Sequence, residues 1–559
     1  MRLQLGPAWA ACLLIAGQAA SGKKTATKAK NIAIIGAGAA GSSAAYHLRQ
    51  FAEEEGVAVN VTIFEKTDHI GGRTITVNAF NDPLQAIELG ASIFVKINHV
   101  LYNATQKFDL SLGGMSIKSK DDITAIWDGK NFVFQSTDAT SWWWDVSKMW
   151  WRYGTSPYWA NKLVNEVVGK FLKLYEAPYF PFRSLTARAY ELDLVSVTAL
   201  TGEQWLAQNK IDAKFSREII QAATRVNYAS NLAYIHGLET MVSFATDGAV
   251  AVEGGNWRIF KHMLDDSKAA VYRNTSVTSI SFAKEEQPGS SPKYLLSTKE
   301  SGVSTSSTEE YPAEFDDVII ASPWQFSNID AADVIKFHIE EIPYTKLHVT
   351  LFASPFKLRA EFFKLAPGSQ APSNVYTTLA EDEQPMKGAE GVGQTGFYSI
   401  STLRTATNPK TQQSEFVYKI FSAEEVTVEF LSDMLGVDVP ETFTTVKQEG
   451  DAPTNVEAIS WYYPHWFYSY PMELPRVTFQ DPIIGSGLYY TSGIESFIST
   501  METSALMGMN VARLIVDDLA GIHREEVETP TKEGEMDRSL GGTTKEVGER
   551  KGGGEPGEL

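Results

Sequence analysis

Three glycines open the chemistry of this chain. Gly36-Ala-Gly38-Ala-Ala-Gly41 follows the apolar run Asn31-Ile-Ala-Ile-Ile35 and precedes a segment of helical character, Ser42 to Phe51. Gly36 permits a tight turn and Gly38 lets the backbone approach a pyrophosphate, with Ala40 in the same turn. Gly41 allows the helix to pack closely on the strand. A second apolar run, Val57 to Phe64, ends at Glu65 and Lys66. A carboxylate at that point accepts hydrogen bonds from ribose hydroxyls, so the unit reads as a dinucleotide site.

The residues that follow narrow the dinucleotide. Gly71-Gly72-Arg73 offers backbone amides to a second face of the pyrophosphate, and Glu88-Leu-Gly-Ala91-Ser92 comes shortly after. This succession resembles the glutathione-reductase-type FAD superfamily, in its branch with a GGR loop that holds the amine oxidases. The resemblance implies FAD as cofactor. Ser276-Val277 resembles the strand whose valine backbone meets adenine, and Asp316 to Pro323, with Ser322, resembles the third motif beside the cofactor. Gly493-Ile-Glu495 and Met501-Glu502 resemble the C-terminal motif, where a helix N-terminus faces the flavin pyrimidine. Such a helix end stabilises the negative charge of reduced flavin.

These motifs need a parallel sheet to hold them. Strand, glycine turn, helix and strand over residues 31–64 make one right-handed βαβ unit. Asp317 to Ala321 and Leu488 to Tyr490 read as further buried strands of that sheet, with a closing helix from Thr500 to Leu519. The fold class is therefore α/β: a Rossmann-like FAD-binding domain built from residues 31–110, 240–330 and 480–520. A mixed α+β substrate domain, residues 111–239 and 331–479, interrupts it. A chain of 559 residues is too long for one core, which agrees with two interleaved domains.

Composition sets the outer limits. A formal net charge of −19 argues against nucleic acid as a partner. Residues 1–22 read as a signal peptide, with Arg2 ahead of a short apolar stretch that is too brief to span a bilayer. The one cysteine, Cys12, lies inside it, so the mature chain would hold no disulfide and no thiolate ligand. Sequons at Asn60, Asn103 and Asn274 fit the secretory route. Residues 523–559 have almost no apolar side chains and read as a disordered acidic tail.

A narrower resemblance covers about residues 31–520. Trp151-Arg-Tyr-Gly154, Arg225-Val-Asn-Tyr228, Ile235-His236, Gly254-Gly255-Asn256 and Trp461-Tyr-Tyr-Pro464-His465 resemble the prenylcysteine oxidase (prenylcysteine lyase) family. It implies a lysosomal or vacuolar FAD thioether oxidase, with extracellular release the other secretory outcome. Its substrates would be a small prenylated thioether and O2, with no protein partner inferred. A hydride leaves the allylic carbon beside sulfur for flavin N5, water adds, and the hemithioacetal collapses to cysteine and a prenyl aldehyde. Oxygen leaves as hydrogen peroxide. Trp142, Trp143, Trp144, Trp150, Trp151, Trp466, Phe467 and Tyr468 are suited to line a prenyl slot, to make peripheral membrane contact, or simply to pack the core. His465, His236 and Lys346 are the candidate catalytic residues, with His348 as the rival of Lys346; no metal site is expected. The alternatives are a secreted FAD amine or amino-acid oxidase, an oxidase of another prenylated thioether, and a catalytically silent binding protein.

Overall fold

A computed structural model describes residues 29–113, 122–137, 142–245, 248–284, 291–303, 307–440 and 457–524. The side chains at 137 and 142–147, those of Trp142, Trp143 and Trp144 among them, lie outside the described residues, as do residues 1–22, expected as a signal peptide, and 525–559 of the expected tail.

The run of β-branched residues from Lys30 to Ile35 forms the central strand of a six-stranded sheet. It pairs in parallel with Val59–Phe64 on one side and Asp317–Ile320 on the other, matching Ile34 to Ile63 and to Ile319. The order continues outward through Ala270–Tyr272 at one edge, and through Leu488–Tyr490 to Ile483–Gly485 at the other. Ile32, Ala33, Ile34, Ile63, Val318, Ile319 and Ile320 are all fully buried, because both faces of the sheet are covered.

One cover is the helix Ala39–Glu55, and against it lies the helix Met501–Ala520. Both approach at backbone distance. A Cβ on Gly41 would stand 2.0 Å from the Gly36 carbonyl oxygen, and one on Gly508 would stand 2.1 Å from that of Ala40. Gly36 itself has φ +107°, a conformation in which side chains are strained.

A second sheet of seven strands carries the rest of the chain. Its order runs Trp461–Pro471, Tyr344–Ser354, Ser414–Ser422, Ser399–Thr407, Asn374–Thr377, Ile123–Trp127 and Phe132–Thr137. The helices gather in residues 142–244 instead of alternating with these strands. One face of the sheet, with Leu347, Val349, Leu351 and Val417, packs toward Ile75, Val77, Ile87 and Leu89 of the first domain.

Arg225 joins the helical region to this sheet. It is fully buried on the helix Gln221–Tyr228, and its guanidinium donates to the Gly391 and Val392 carbonyls (2.7 and 2.8 Å), Asn231 Oδ1 (2.9 Å), Thr377 Oγ1 (3.1 Å) and Thr395 Oγ1 (3.2 Å). Burial lowers its pKa to about 10, still well above neutrality. Five acceptors replace its lost water shell, so Arg225→Met should strand several of them at once. The expected loss is about 3 kcal/mol or more of stability, read as a lower thermal midpoint, whereas an unchanged midpoint would remove this cross-link from the account.

Candidate active site

Residues near both the six-stranded and the seven-stranded sheet line a cavity of about 1730 Å³. Ligand pockets for a single small molecule run to roughly 1,000 Å³, so this one has room for a dinucleotide and a second ligand.

Its nucleotide end is built by the glycine turns. Gly36, Gly38 and Ala40 line it from one side, and Gly72 and Arg73 from the other. Gly38 caps the helix Ala39–Glu55 with no side-chain hydrogen bond, and the first turn holds no acidic residue, so the amides of the helix end face the cavity unneutralised. A Cβ on Gly72 would come within 3.2 Å of the Gly38 Cα, which shows how closely the two loops converge. Such a cradle fits a pyrophosphate. Glu65 and Lys66 line the same end. The Glu65 carboxylate is partly committed, accepting from the Ala37 amide (2.8 Å) and from the Thr67 amide (2.9 Å) and hydroxyl (2.8 Å). Gly41 lies behind the turn, in the helix–strand contact.

Toward the centre, Ala91, Ser92, Ser322, Glu495, Met501 and Glu502 line the cavity. Glu495 is buried and takes Arg73 at 2.6 Å and the Tyr344 hydroxyl at 2.9 Å, and Arg73 also donates to the Ser469 carbonyl at 2.8 Å. Glu502 accepts from the amides of Val100 (2.8 Å) and Leu101 (2.9 Å) and from the Tyr175 hydroxyl (2.8 Å). Its carboxylate therefore caps the neighbouring helix His99–Lys107, and the helix Met501–Ala520 is capped by Thr500 instead. Gly493 stands back from the cavity, where a Cβ would strike the Gln480 carbonyl at 2.7 Å. Val277 lies away from the cavity wall too, buried in the strand Thr275–Phe282 at a bulge.

The three polar candidates stand outside the cavity wall. Lys346 is exposed, with its ammonium 4.6 Å from the Trp466 ring centroid. Strand alternation explains the placement, because its neighbour Leu347 faces the cavity and Lys346 must face the other way. His348 shares that outward parity and is buried with its Nε2 unpartnered. His465 sits half-buried between the rings of Tyr463 and Phe467.

His236 is fully buried as the cap of the helix Gly237–Phe244. Its Nδ1 accepts the Glu239 amide at 3.1 Å, so the ring hydrogen sits on Nε2, which stands 3.3 Å from Glu473 Oε2. His236, Glu239 and Glu473 gather ligand-type atoms within 4.8 Å of one another. His236 Nε2, Glu239 Oε1 and both Glu473 carboxylate oxygens are buried without a hydrogen-bond partner among the described residues. Burial pushes Glu239 up to about 8 and Glu473 well above its usual range, and depresses His236 to about 4.

The cavity also holds polar groups not anticipated from sequence. Lys419, on Ser414–Ser422, is buried and donates to the Glu88 carbonyl (2.7 Å) and Ser92 Oγ (3.0 Å). Burial lowers it to about 8 and raises the Glu88 carboxyl to about 7. Arg404 lines the same region. A lysine inside the run Phe416-Val-Tyr-Lys419-Ile-Phe421 was the legible signal for the first; nothing in the sequence marks Arg404. Leu84, Phe94, Ile97, Val168, Phe171, Leu347 and Phe421 add apolar surface to the wall, alongside polar groups such as Asn227, Ser399 and Ser401.

Comparison with known proteins places the chain by family and fold. The prenylcysteine lyase family model matches residues 136–528, and an NAD(P)-binding Rossmann-like domain matches residues 34–108. The farnesylcysteine lyase of Arabidopsis thaliana is 26% identical over 502 residues, 87% of this chain and 88% of that protein. Prenylcysteine oxidase 1 of Bos taurus is 28% identical over 503 residues, with the same coverage of 87% and 88%. Among solved structures, the cyclohexylamine oxidase of Brevibacterium oxydans superposes with a TM-score of 0.51 at 14% identity, covering 88% of this chain and all of that one, which shows a shared fold. The glycine cradle, the Rossmann-like match and the family agree on FAD as the cofactor, and the chain belongs to the prenylcysteine lyase family of FAD-dependent oxidoreductases.

Proposed function

We propose that this protein is a thioether oxidase that converts prenylcysteine, O2 and water to cysteine, a prenyl aldehyde and hydrogen peroxide. The observation that carries the reading is one continuous cavity, with the glycine cradle at one end and an apolar wall at the other. FAD bound in the cradle supplies the two-electron acceptor for the allylic hydride and the route of those electrons to O2.

The protein's own part is placement. Leu347, Phe421, Phe94 and Phe171 offer apolar surface to an isoprenoid, and burial of such a tail favours binding by roughly 25 cal/mol per Å². Arg73, held by Glu495 and the Ser469 carbonyl, adds fixed positive charge beside the cradle. Ser492, Ser499, Thr500 and Met501 bring the start of the last helix to the cavity, where its amide end favours negative charge. Thioether oxidation asks for no protein nucleophile, which accords with His465, His236 and Lys346 standing away from the cavity wall.

The reading extends to the compartment. A secretory route ending in a lysosome or vacuole accords with sequon asparagines that are all exposed, at Asn60, Asn103 and Asn274. It also accords with buried acids that hold protons. Desolvation raises Glu88 and Asp317 to about 7 and Glu239 to about 8, so the fold retains protons that the unfolded chain has lost above pH of about 4.5. His47 and His236, depressed to about 4 by burial, act oppositely, but only up to the unfolded value near 6.5. Peripheral membrane contact belongs to the same reading, through Trp150 and Trp151, which are 61% and 92% exposed. Among the described residues no helix is long and apolar enough to cross a membrane.

Two outcomes are expected. The purified flavoprotein should release peroxide and farnesal with S-farnesylcysteine and none with benzylamine or free amino acids; turnover of those controls alone would establish the amine or amino-acid oxidase instead. Stability should fall as pH rises from about 6.5 to 8, by about 1–2 kcal/mol from Glu239 alone. Glu239→Gln should flatten that decline in thermal midpoints taken across the range, and a midpoint that climbs toward pH 8 would contradict the proton assignment.

A further inference from the structure

The strand Ser399–Thr407 carries a bulge between Thr402 and Arg404. Before it, alternation turns Ser399 and Ser401 to the cavity, and Leu403, the extra residue of the bulge, lines it too. The extra residue re-aims the chain, so Arg404 lines the cavity as well. Its guanidinium donates to the Ala86 carbonyl at 2.7 Å, and among the described residues no carboxylate lies within ion-pair range of it. Burial lowers its pKa with no neighbouring charge to offset the effect.

Lys419 stands on the next strand, paired with Ser401 across the ladder. Its ammonium uses two of its three hydrogens on Glu88 O and Ser92 Oγ, and it has no carboxylate within ion-pair range either. The Glu88 carboxylate is turned to the Asn256 amide, at 2.5 Å. Ala86 and Glu88, whose carbonyls anchor the two cations, are two residues apart on one strand, about 7 Å. Two cations thus line one stretch of the wall beside Ser399, Ser401 and the buried Glu88, whose carboxylate attracts Lys419, whereas Arg404 has no such neighbouring charge. A desolvated cation without a counter-ion is costly unless a ligand supplies the anion.

We propose that Arg404 and Lys419 form the carboxylate-recognising end of the substrate cavity and take the α-carboxylate of the thioether's amino-acid head. This rests on the thioether reading above and deepens it. A planar guanidinium matches a carboxylate with two parallel hydrogen bonds, and the lysine adds a third donor. Anchoring the head fixes the sulfur and the allylic carbon at a set distance along the substrate, so the clamp selects a free amino acid over an ester or an internal cysteine residue.

The test uses the full-length flavoprotein with S-farnesylcysteine and its α-methyl ester, which differ only in the carboxylate. Wild type should prefer the free acid. Arg404→Gln should raise KM for the free acid about tenfold or more, the loss expected for a charged hydrogen bond. It should leave kcat and the KM for the ester little changed, and Arg404→Lys should recover part of the difference. Anaerobic titration of the flavin spectrum with each compound gives the same comparison as binding constants, independent of turnover. Equal weakening toward acid and ester, loss of flavin from Arg404→Gln, or a wild type that turns over both compounds alike would overturn the clamp while sparing the thioether reading. No turnover and no spectral change with either compound, in protein that retains its flavin, would sink the thioether reading and the clamp together.

Discussion

The helix Ala39–Glu55 is pinned at backbone distance on two sides, and the nucleotide site exists only because of it. On one side Gly41 meets the turn at Gly36; on the other Gly508 meets Ala40. Neither contact tolerates a Cβ without the helix moving. A helix that moved would carry its open amide end away from the loop at Gly71 and Gly72, and the convergence that cradles a pyrophosphate would be lost. Close packing of this kind transmits small displacements, because protein interiors have few voids to absorb them. The first turn and the last helix, more than 450 residues apart, are therefore parts of one object.

Buried polar links extend the same closure across the cavity. Glu495 draws together Arg73 and Tyr344, from segments that share no local sequence, and Arg73 reaches on to Ser469. Glu502 ties the last helix to the start of the helix His99–Lys107 and to Tyr175. Each carboxylate is removed from water and satisfied by several donors at once, so losing a single donor leaves an imperfectly compensated buried charge. Arg225 ties the helical region to the seven-stranded sheet as these acids tie the segments around the glycine turns, and that sheet packs through Leu347, Val349 and Leu351 against Ile75, Val77, Ile87 and Leu89.

The site was unevenly legible. The cofactor end could be read residue by residue, since Gly36, Gly38, Glu65, Gly72 and Arg73 belong to one short local pattern whose geometry follows from a strand, a turn and a helix. Lys346 could not be placed because strand parity decides its face, and a register of one residue exchanges it with Leu347. His236 carried no mark in the sequence to separate a helix cap from an acid–base group; the difference lies in Glu239 and Glu473 beside it. Arg404 reaches the cavity through a bulge, which depends on the partner strand.

The sequence by itself determined the βαβ unit and its dinucleotide turn, because those follow from local periodicity and from glycines with a clear steric role, while the cofactor class and the family were legible through the resemblance of its motifs. It also determined that strands at 317 and 488 are buried, since unbroken β-branched and aromatic runs have no other stable place. Only the tertiary structure decided which carboxylates are satisfied, that Arg404 has no neighbouring charge to offset its burial, and which faces of the seven-stranded sheet meet the cavity. Those properties are set by residues hundreds of positions apart, where burial and the pairing of charge depend on the whole fold and on no segment alone.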